Sequence, residues 1–286
     1  MKISKITEFQ ANYDVFLLDL YGLMYDEDTM YPGAIEFLQS LKDTGKKVVF
    51  ISNAPRTSER TAQRLAKFNI TPELYHMIYT PGQMFFDDCN NGSMIPVNGK
   101  YFAFGSDLQD INYVNNVRSL TRTDNIEEAQ CLISFNVFDS EEDNAKIKEM
   151  LLVALENNLP MLCLNPDKIV RKHSVAKDVL CAGYVSDMYD KMGGNVVYYG
   201  KPYNRIYDRI WDFLGKPDKK QMIAMGDALE TDIEGASRFG IDSGLVLTGI
   251  HSDCVANGGI VNLDRLEKLI KGYDVFPKYI LKNLLP

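Results

Sequence analysis

No run in the chain approaches the roughly 20 apolar residues that a membrane span needs. The opening stretch, MKISKITEFQANYD, also lacks the apolar segment of a signal peptide. Both absences lead to an expected cytoplasmic location with no membrane partner. The 5 cysteines (Cys89, Cys131, Cys163, Cys181, Cys254) form no CxxC pair, and their odd number argues against a disulfide framework and against zinc. Cys131 and Cys163 sit inside apolar runs, as inert core thiols do. His76, His173 and His251 are scattered without a matching partner and read as ordinary polar residues. A basic excess is missing too: 31 Lys and Arg against 39 Asp and Glu give a net charge of -8. Nucleic acid, which is held by clustered cations, is therefore set aside. Internal repeats and low-complexity linkers are absent.

What remains is an ordinary folding chain, 45% hydrophobic and 24% charged. At 286 residues it exceeds the usual size of one core, which leaves one long α/β domain or two domains open and favours two. Short apolar runs recur, each closing on a polar or glycine residue: VFLLDL (15 to 20), VVFISN (48 to 53), YFAFG (101 to 105), CLISF (131 to 135), MLCLN (161 to 165), VVYYG (196 to 200), MIAMGD (222 to 227) and LVLTG (245 to 249). Such runs read as buried strands. Helical patterns fall between them, around 33 to 43, 57 to 68, 141 to 157, 203 to 214 and 230 to 239. Ser140 followed by Asp143 suits a capping box, and Gly215 and Gly240 stand where a left-handed residue stops a helix. Alternation of this kind implies a parallel, doubly wound sheet.

Ligands of such sheets bind outside the carboxyl ends of the strands, so the residue after each run is the first place to look for chemistry. Four runs answer: they end in Asp19, in Ser52 and Asn53, in Gly200 with Lys201, and in Asp227. An aspartate, a hydroxyl, a lysine and a further carboxylate pair, Asp227 with Asp232, fit phosphoryl transfer. A carboxylate is a recognised nucleophile toward phosphorus, but it must overcome repulsion from a phosphate dianion. Asp19, Asp227 and Asp232 make an oxygen-rich setting suited to magnesium, with Lys201 adding charge and Ser52 and the amides of Asn53 and Ala54 supplying donors.

In this order LLDLYG (17 to 22), FISN (50 to 53), GKP (200 to 202) and GDALETD (226 to 232) resemble the motifs of the haloacid dehalogenase superfamily, in its class IIA branch with a large α/β cap. Asn165-Pro166-Asp167 and Cys181-Ala182-Gly183 resemble cap segments of that branch. The resemblance implies a Rossmann-like doubly wound core of residues 1–81 and 190–286 with an inserted α/β cap domain of residues 82–189. It implies Asp19 as nucleophile and metal ligand, the main-chain carbonyl of Tyr21 as a second ligand, Asp227 as a third, and Asp232 on the ion or its waters. Lys201 would steady nucleophile and phosphate, and Ser52 would bond the transferred group. Asp167 and Lys168, with Arg171 and His173, are cap residues that could face a substrate. Caps of that branch often join dimer contacts, which leaves a homodimer open.

One position departs from the family pattern. The residue two places after the nucleophile is usually a second aspartate that protonates the leaving alcohol and then activates water; here it is Tyr21. A phenol, with an ordinary pKa of about 10, can donate a proton but is a poor base at neutral pH. Three readings stay open: a phosphatase for good leaving groups, a phosphatase whose acid comes from elsewhere, with Asp26 and Asp28 as candidates, or a phosphorylated-metabolite binding protein with little turnover. The leading expectation is a magnesium-dependent phosphatase acting on a small phosphomonoester, a sugar phosphate being the family-level expectation. Halide displacement uses the same nucleophile but needs no metal, which Asp227 and Asp232 disfavour.

Overall fold

The computed structural model describes residues 2–92, 99–105, 108–116, 120–136, 143–172, 177–256 and 258–286. Ser140, and with it the expected capping box, and His173 lie outside the described residues. In chain order β1 (Val15–Leu18) leads through the hairpin of β2 (Tyr25–Asp26) and β3 (Thr29–Met30) to α1 (Ala34–Asp43), β4 (Lys47–Ile51), α2 (Ser58–Ala66), β5 (Met77–Tyr79) and α3 (Pro81–Asn91). Then come β6 (Gly99–Phe104), β7 (Leu120–Thr123), β8 (Cys131–Ser134), α4 (Asp143–Glu156), β9 (Met161–Cys163), the hairpin of β10 (Ile169–Lys172) and β11 (Lys177–Leu180), α5 (Ala182–Lys191) and β12 (Val196–Tyr198). The last elements are α6 (Asn204–Phe213), β13 (Met222–Gly226), α7 (Glu234–Phe239), β14 (Asp242–Val246), α8 (Leu263–Tyr273) and β15 (Tyr279–Leu281).

Two parallel sheets organise the α/β fold. The first has the order β15-β14-β13-β1-β4-β5 and the second β12-β9-β8-β6-β7. The central strands of the first are continuous apolar runs, every residue of β1 and β13 being buried, as strands covered on both faces require. Helix α1 shows how a covering element arises: Ala34, Phe37, Leu38 and Leu41 fall on one helical face and are the buried ones. Gly215 and Gly240 follow α6 and α7 with φ of +79° and +80°, the left-handed stop expected of them.

Register then decides what meets at the sheet edge. Leu18 pairs with Met225 on one side and with Phe50 on the other, so the three strands run out at one level. Asp19, Ser52 and Asp227 therefore leave the sheet together. Lys201 reaches the same place by another route. The run VVYYG was expected among the core strands, but β12 pairs with β9 in the second sheet, so that sheet extends past the expected boundary at residue 189. The apolar run and its polar end look alike whichever sheet carries them.

The two sheets are not separated by a polar gap. One apolar cluster contains Leu17 of β1, Phe85 of α3, Tyr101 of β6, Ile133 of β8, Tyr199 after β12 and Ile206 of α6. Chain passage between the sheets is also clamped electrostatically. Asp88 of α3, fully buried, receives Arg205 and Arg209 of α6, the latter at 2.7 Å. Arg205 in turn lies over the ring of Tyr199, 5.0 Å from its centroid. No helix among the described residues is long and apolar enough to cross a membrane.

Asp88→Asn keeps the shape of the side chain and strands both guanidinium groups. Removing one member of a fully buried pair costs about 3–5 kcal/mol, and because each arginine keeps about a third of its exposure we expect about 2–3 kcal/mol, read as a lower urea midpoint at unchanged m-value.

Candidate active site

The carboxyl edge of the first sheet carries a buried ionic knot. Lys201 Nζ donates to Asp19 Oδ1 at 2.5 Å and to Asp232 Oδ1 at 2.6 Å, and the lysine is 2% exposed. Asp19 is fixed from behind by its main-chain N–H, which donates to the Met225 carbonyl at 2.9 Å. Asp232 is aimed by an unusual turn. Leu229–Ile233 winds as a π-helix, a rare form that concentrates at functional sites, and Asp232 Oδ2 accepts the Ala228 N–H at 3.1 Å. Asp227 completes the set, its Oδ2 accepting the Ile250 N–H at 2.6 Å. Gly22 leaves it room: its φ is +94°, and a Cβ there would lie 2.3 Å from Asp227 Oδ2.

Charge and burial pull these groups in opposite directions. Burial raises the Asp19 carboxyl to about 7, against the pull of Lys201 and with the push of Asp232. Asp227 is raised well above the usual range by burial and by Asp19 and Asp232 beside it. Burial works against the ammonium of Lys201, but Asp19, Asp232 and Asp167 together hold its proton more tightly than in a free lysine. Asp19, Asp227 and Asp232 bring carboxylate oxygens within 4.8 Å of one another, a hard-oxygen set that fits a divalent cation such as magnesium. A cation there would relieve the like-charge repulsion that raises Asp227.

Asn53 has a part that its place in the sequence did not disclose. Its Oδ1 accepts the Lys201 N–H at 2.7 Å, while its Nδ2 donates to the Lys201 carbonyl at 3.0 Å and to Asp167 Oδ1 at 2.8 Å. The amide thus pairs with both main-chain groups of the lysine and ties them to the loop after β9. The sequence predicts that Asn53 offers its main-chain amide; only the fold brings residue 53 beside residue 201. Ser52 lies at the cavity wall, and the Ala54 N–H, expected to be open, donates to Ser52 Oγ at 3.3 Å.

A cavity of 580 Å³ opens over this knot between the two sheets, reaching Asp19, Lys201, Asp167, Arg56, Arg64 and Tyr273. Asp167 is enclosed enough that burial lifts its carboxyl to about 6, with Lys201 and Asn53 holding it down. Lys168 reaches the cavity but is paired with Glu230 at 2.5 Å and Asp187 at 3.5 Å. Tyr21 also lines it, and its phenol is raised to about 12 by burial and by Glu27. The Tyr21 hydroxyl donates to the Arg171 carbonyl in β10 at 3.0 Å. Of the acids considered as substitutes, Asp28 reaches the cavity wall, and Asp26 lies in β2. His251, read as ordinary, is buried, burial lowers its pKa to about 4, and its Nε2 accepts the Leu229 N–H at 3.3 Å.

Comparison with known proteins follows the same outline. Residues 16–116 match the family model described as haloacid dehalogenase-like hydrolase, and residues 198–284 match a second model of HAD-like hydrolases. The chain is 25% identical over 247 residues to the ribonucleotide monophosphatase NagD of Escherichia coli, covering 82% of this chain and 88% of that protein. Among solved structures it resembles a haloacid dehalogenase-like hydrolase from Brucella suis (TM-score 0.79, 22% identity, 99% of each chain). It also resembles a possible sugar phosphatase from Cytophaga hutchinsonii (TM-score 0.77, 21% identity, covering 100% of this chain and 99% of that one).

Asn53→Ala removes the partners of two buried main-chain groups. With about 1–3 kcal/mol for each stranded group, we expect a loss of about 2–6 kcal/mol in urea unfolding, where Asn53→Gln should restore part of it.

Proposed function

The chain belongs to the haloacid dehalogenase-like hydrolases, and on that premise we propose that it is a magnesium-dependent phosphatase of the branch with the large α/β cap that hydrolyses a small phosphomonoester through an aspartyl-phosphate on Asp19. The observation that carries this reading is the buried Lys201, bonded at once to Asp19 and Asp232 beside a third carboxylate, Asp227. In the proposed reaction the free oxygen of Asp19 attacks phosphorus while Lys201 holds the other oxygen and neutralises charge. Ser52 bonds the phosphoryl oxygens. Asp19 and Asp227, the main-chain carbonyl of Tyr21 and, directly or through water, Asp232 would hold the ion. Magnesium, when bound, supplies charge neutralisation and orients the phosphate.

A site enclosed between two sheets suits a small phosphorylated metabolite better than a polymer. A sugar phosphate is supported by the Cytophaga structure, described as a possible sugar phosphatase, and a nucleotide by the ribonucleotide monophosphatase relative. None of the five cysteines, all among the described residues, is in a disulfide, which supports a reducing, cytoplasmic setting. Tyr21 favours a second reading, a protein that holds a phosphorylated metabolite with little turnover.

A screen of phosphomonoesters with magnesium separates the two. We expect phosphate release that a chelator stops and that Asp19→Asn lowers by at least about 10³-fold. Binding of phosphate esters with no release in the wild type would sink the phosphatase reading. Independently of turnover, magnesium should raise the thermal midpoint of the wild type but not of Asp227→Asn, because only the former gives the ion its full ligand set.

A further inference from the structure

Tyr21 stands nearer to the nucleophile in sequence than any other proton-bearing side chain of the cavity, yet its hydroxyl is turned to a different task. A carbonyl oxygen can only accept, so the 3.0 Å contact with Arg171 commits the single phenol hydrogen to the main chain of β10. The surrounding contacts show what that bond belongs to. Residues Asp167 to Arg171 are tied to the loops of the first sheet at successive points: Asn53 Nδ2 to Asp167 at 2.8 Å, Lys168 to Glu230 at 2.5 Å, Tyr21 to the Arg171 carbonyl, and the Arg171 guanidinium to Asp253 at 3.8 Å. Arg171 is also braced within the hairpin by Asp178 at 2.8 Å. The Tyr21 ring meets Tyr25 edge to face at 6.2 Å, which further fixes its direction. Lys201 is likewise occupied, donating to Asp19 and Asp232.

We propose that Tyr21 is a positioning residue that latches the β10–β11 hairpin over the site rather than the proton donor of the reaction. The substrates are then phosphate esters whose leaving oxygen departs unprotonated, acyl, enol or aryl phosphates, in place of the alkyl esters of a sugar or nucleotide considered above. This rests on the phosphatase reading given above. In the first step the Asp19 oxygen bonds to phosphorus and the bond from phosphorus to the leaving oxygen breaks, its electron pair departing as the carboxylate, enolate or phenolate anion. In the second, water bonds to phosphorus and the bond to Asp19 breaks, returning the electron pair to the carboxylate. One water proton stays on the phosphate; the other is released to solvent and balances the charge of the departed anion.

The test measures kcat/KM for aryl phosphates spanning leaving groups from acidic nitrophenols to phenol, and for an alkyl phosphate, with wild type, Tyr21→Phe and Asp167→Asn. Hydrogen exchange of the β10 and β11 amides is followed in the same proteins. Without acid assistance the alkyl ester should trail the best aryl ester by at least about 10²–10⁴-fold. The slope should be equally steep in Tyr21→Phe, whose KM rises for every ester and whose hairpin exchanges faster. A shallow slope in wild type that steepens in Tyr21→Phe makes Tyr21 the donor and overturns the proposal; one that steepens in Asp167→Asn assigns the proton to Asp167 and overturns it equally. Unchanged hairpin exchange in Tyr21→Phe overturns the latch even if no ester is turned over, whereas absence of turnover alone strikes at the phosphatase reading.

Discussion

An ammonium group that is 2% exposed stays charged only if its surroundings return what desolvation removes, and around Lys201 two carboxylates do so at 2.5 and 2.6 Å. Each of those carboxylates depends on a different part of the fold. Asp19 needs β1 in register with β13, and Asp232 needs the π turn that brings its carboxylate back toward the sheet. Lys201 needs its loop held, and the Asn53 amide holds it by both main-chain groups. Strand register, a helical irregularity and a side-chain bridge thus converge on one buried charge. The same arrangement leaves Asp227 as the carboxylate with least compensation, which is the electrostatic reason the knot suits a cation.

Much of this was legible in the residues because strand ends are chemically conspicuous. An apolar run that stops at Asp19, Ser52 or Asp227 carries its own explanation, and parallel pairing brings such ends together. The helices that were found had a clear apolar stripe or a glycine stop. Among the strands that escaped, β5 and β15 have three residues each and LTRT in β7 lacks an apolar run, while α5 and α8 escaped although each carries a buried face. Helix α3 begins with Pro81 and Gly82, which argue against a helix until Pro81 is seen at its first position behind the Thr80 cap.

Partnerships across the cavity were not legible. Asn53 with Asp167, Tyr21 with Arg171 and Lys168 with Glu230 join residues separated by 114, 150 and 62 positions (230 − 168), and nothing local announces them. They also change the meaning of residues that had been noticed. Lys168 is a tether as much as a cavity residue, and Tyr21, conspicuous as a departure in a motif, turns out to hold main chain of the β10–β11 hairpin. The loop after β4 is tied twice more from above, Tyr113 donating to the Pro55 carbonyl at 3.0 Å and Arg56 facing Asp110 at 3.6 Å.

The apolar cluster that runs through both sheets bears on how such a protein can be altered. A covering unit attached by two thin linkers could be cut out and exchanged like a cassette. Here Phe85, Tyr101, Ile133 and Tyr199 lie in the same dry interior as Leu17 of the nucleophile strand. Excising the upper sheet would strip solvent protection from the strand that presents Asp19. A graft that aims to change substrate choice would have to bring a matching underside with it, so variation in such a scaffold is easiest in the hairpin and loops at the rim, where the seam is polar and can be remade one pair at a time.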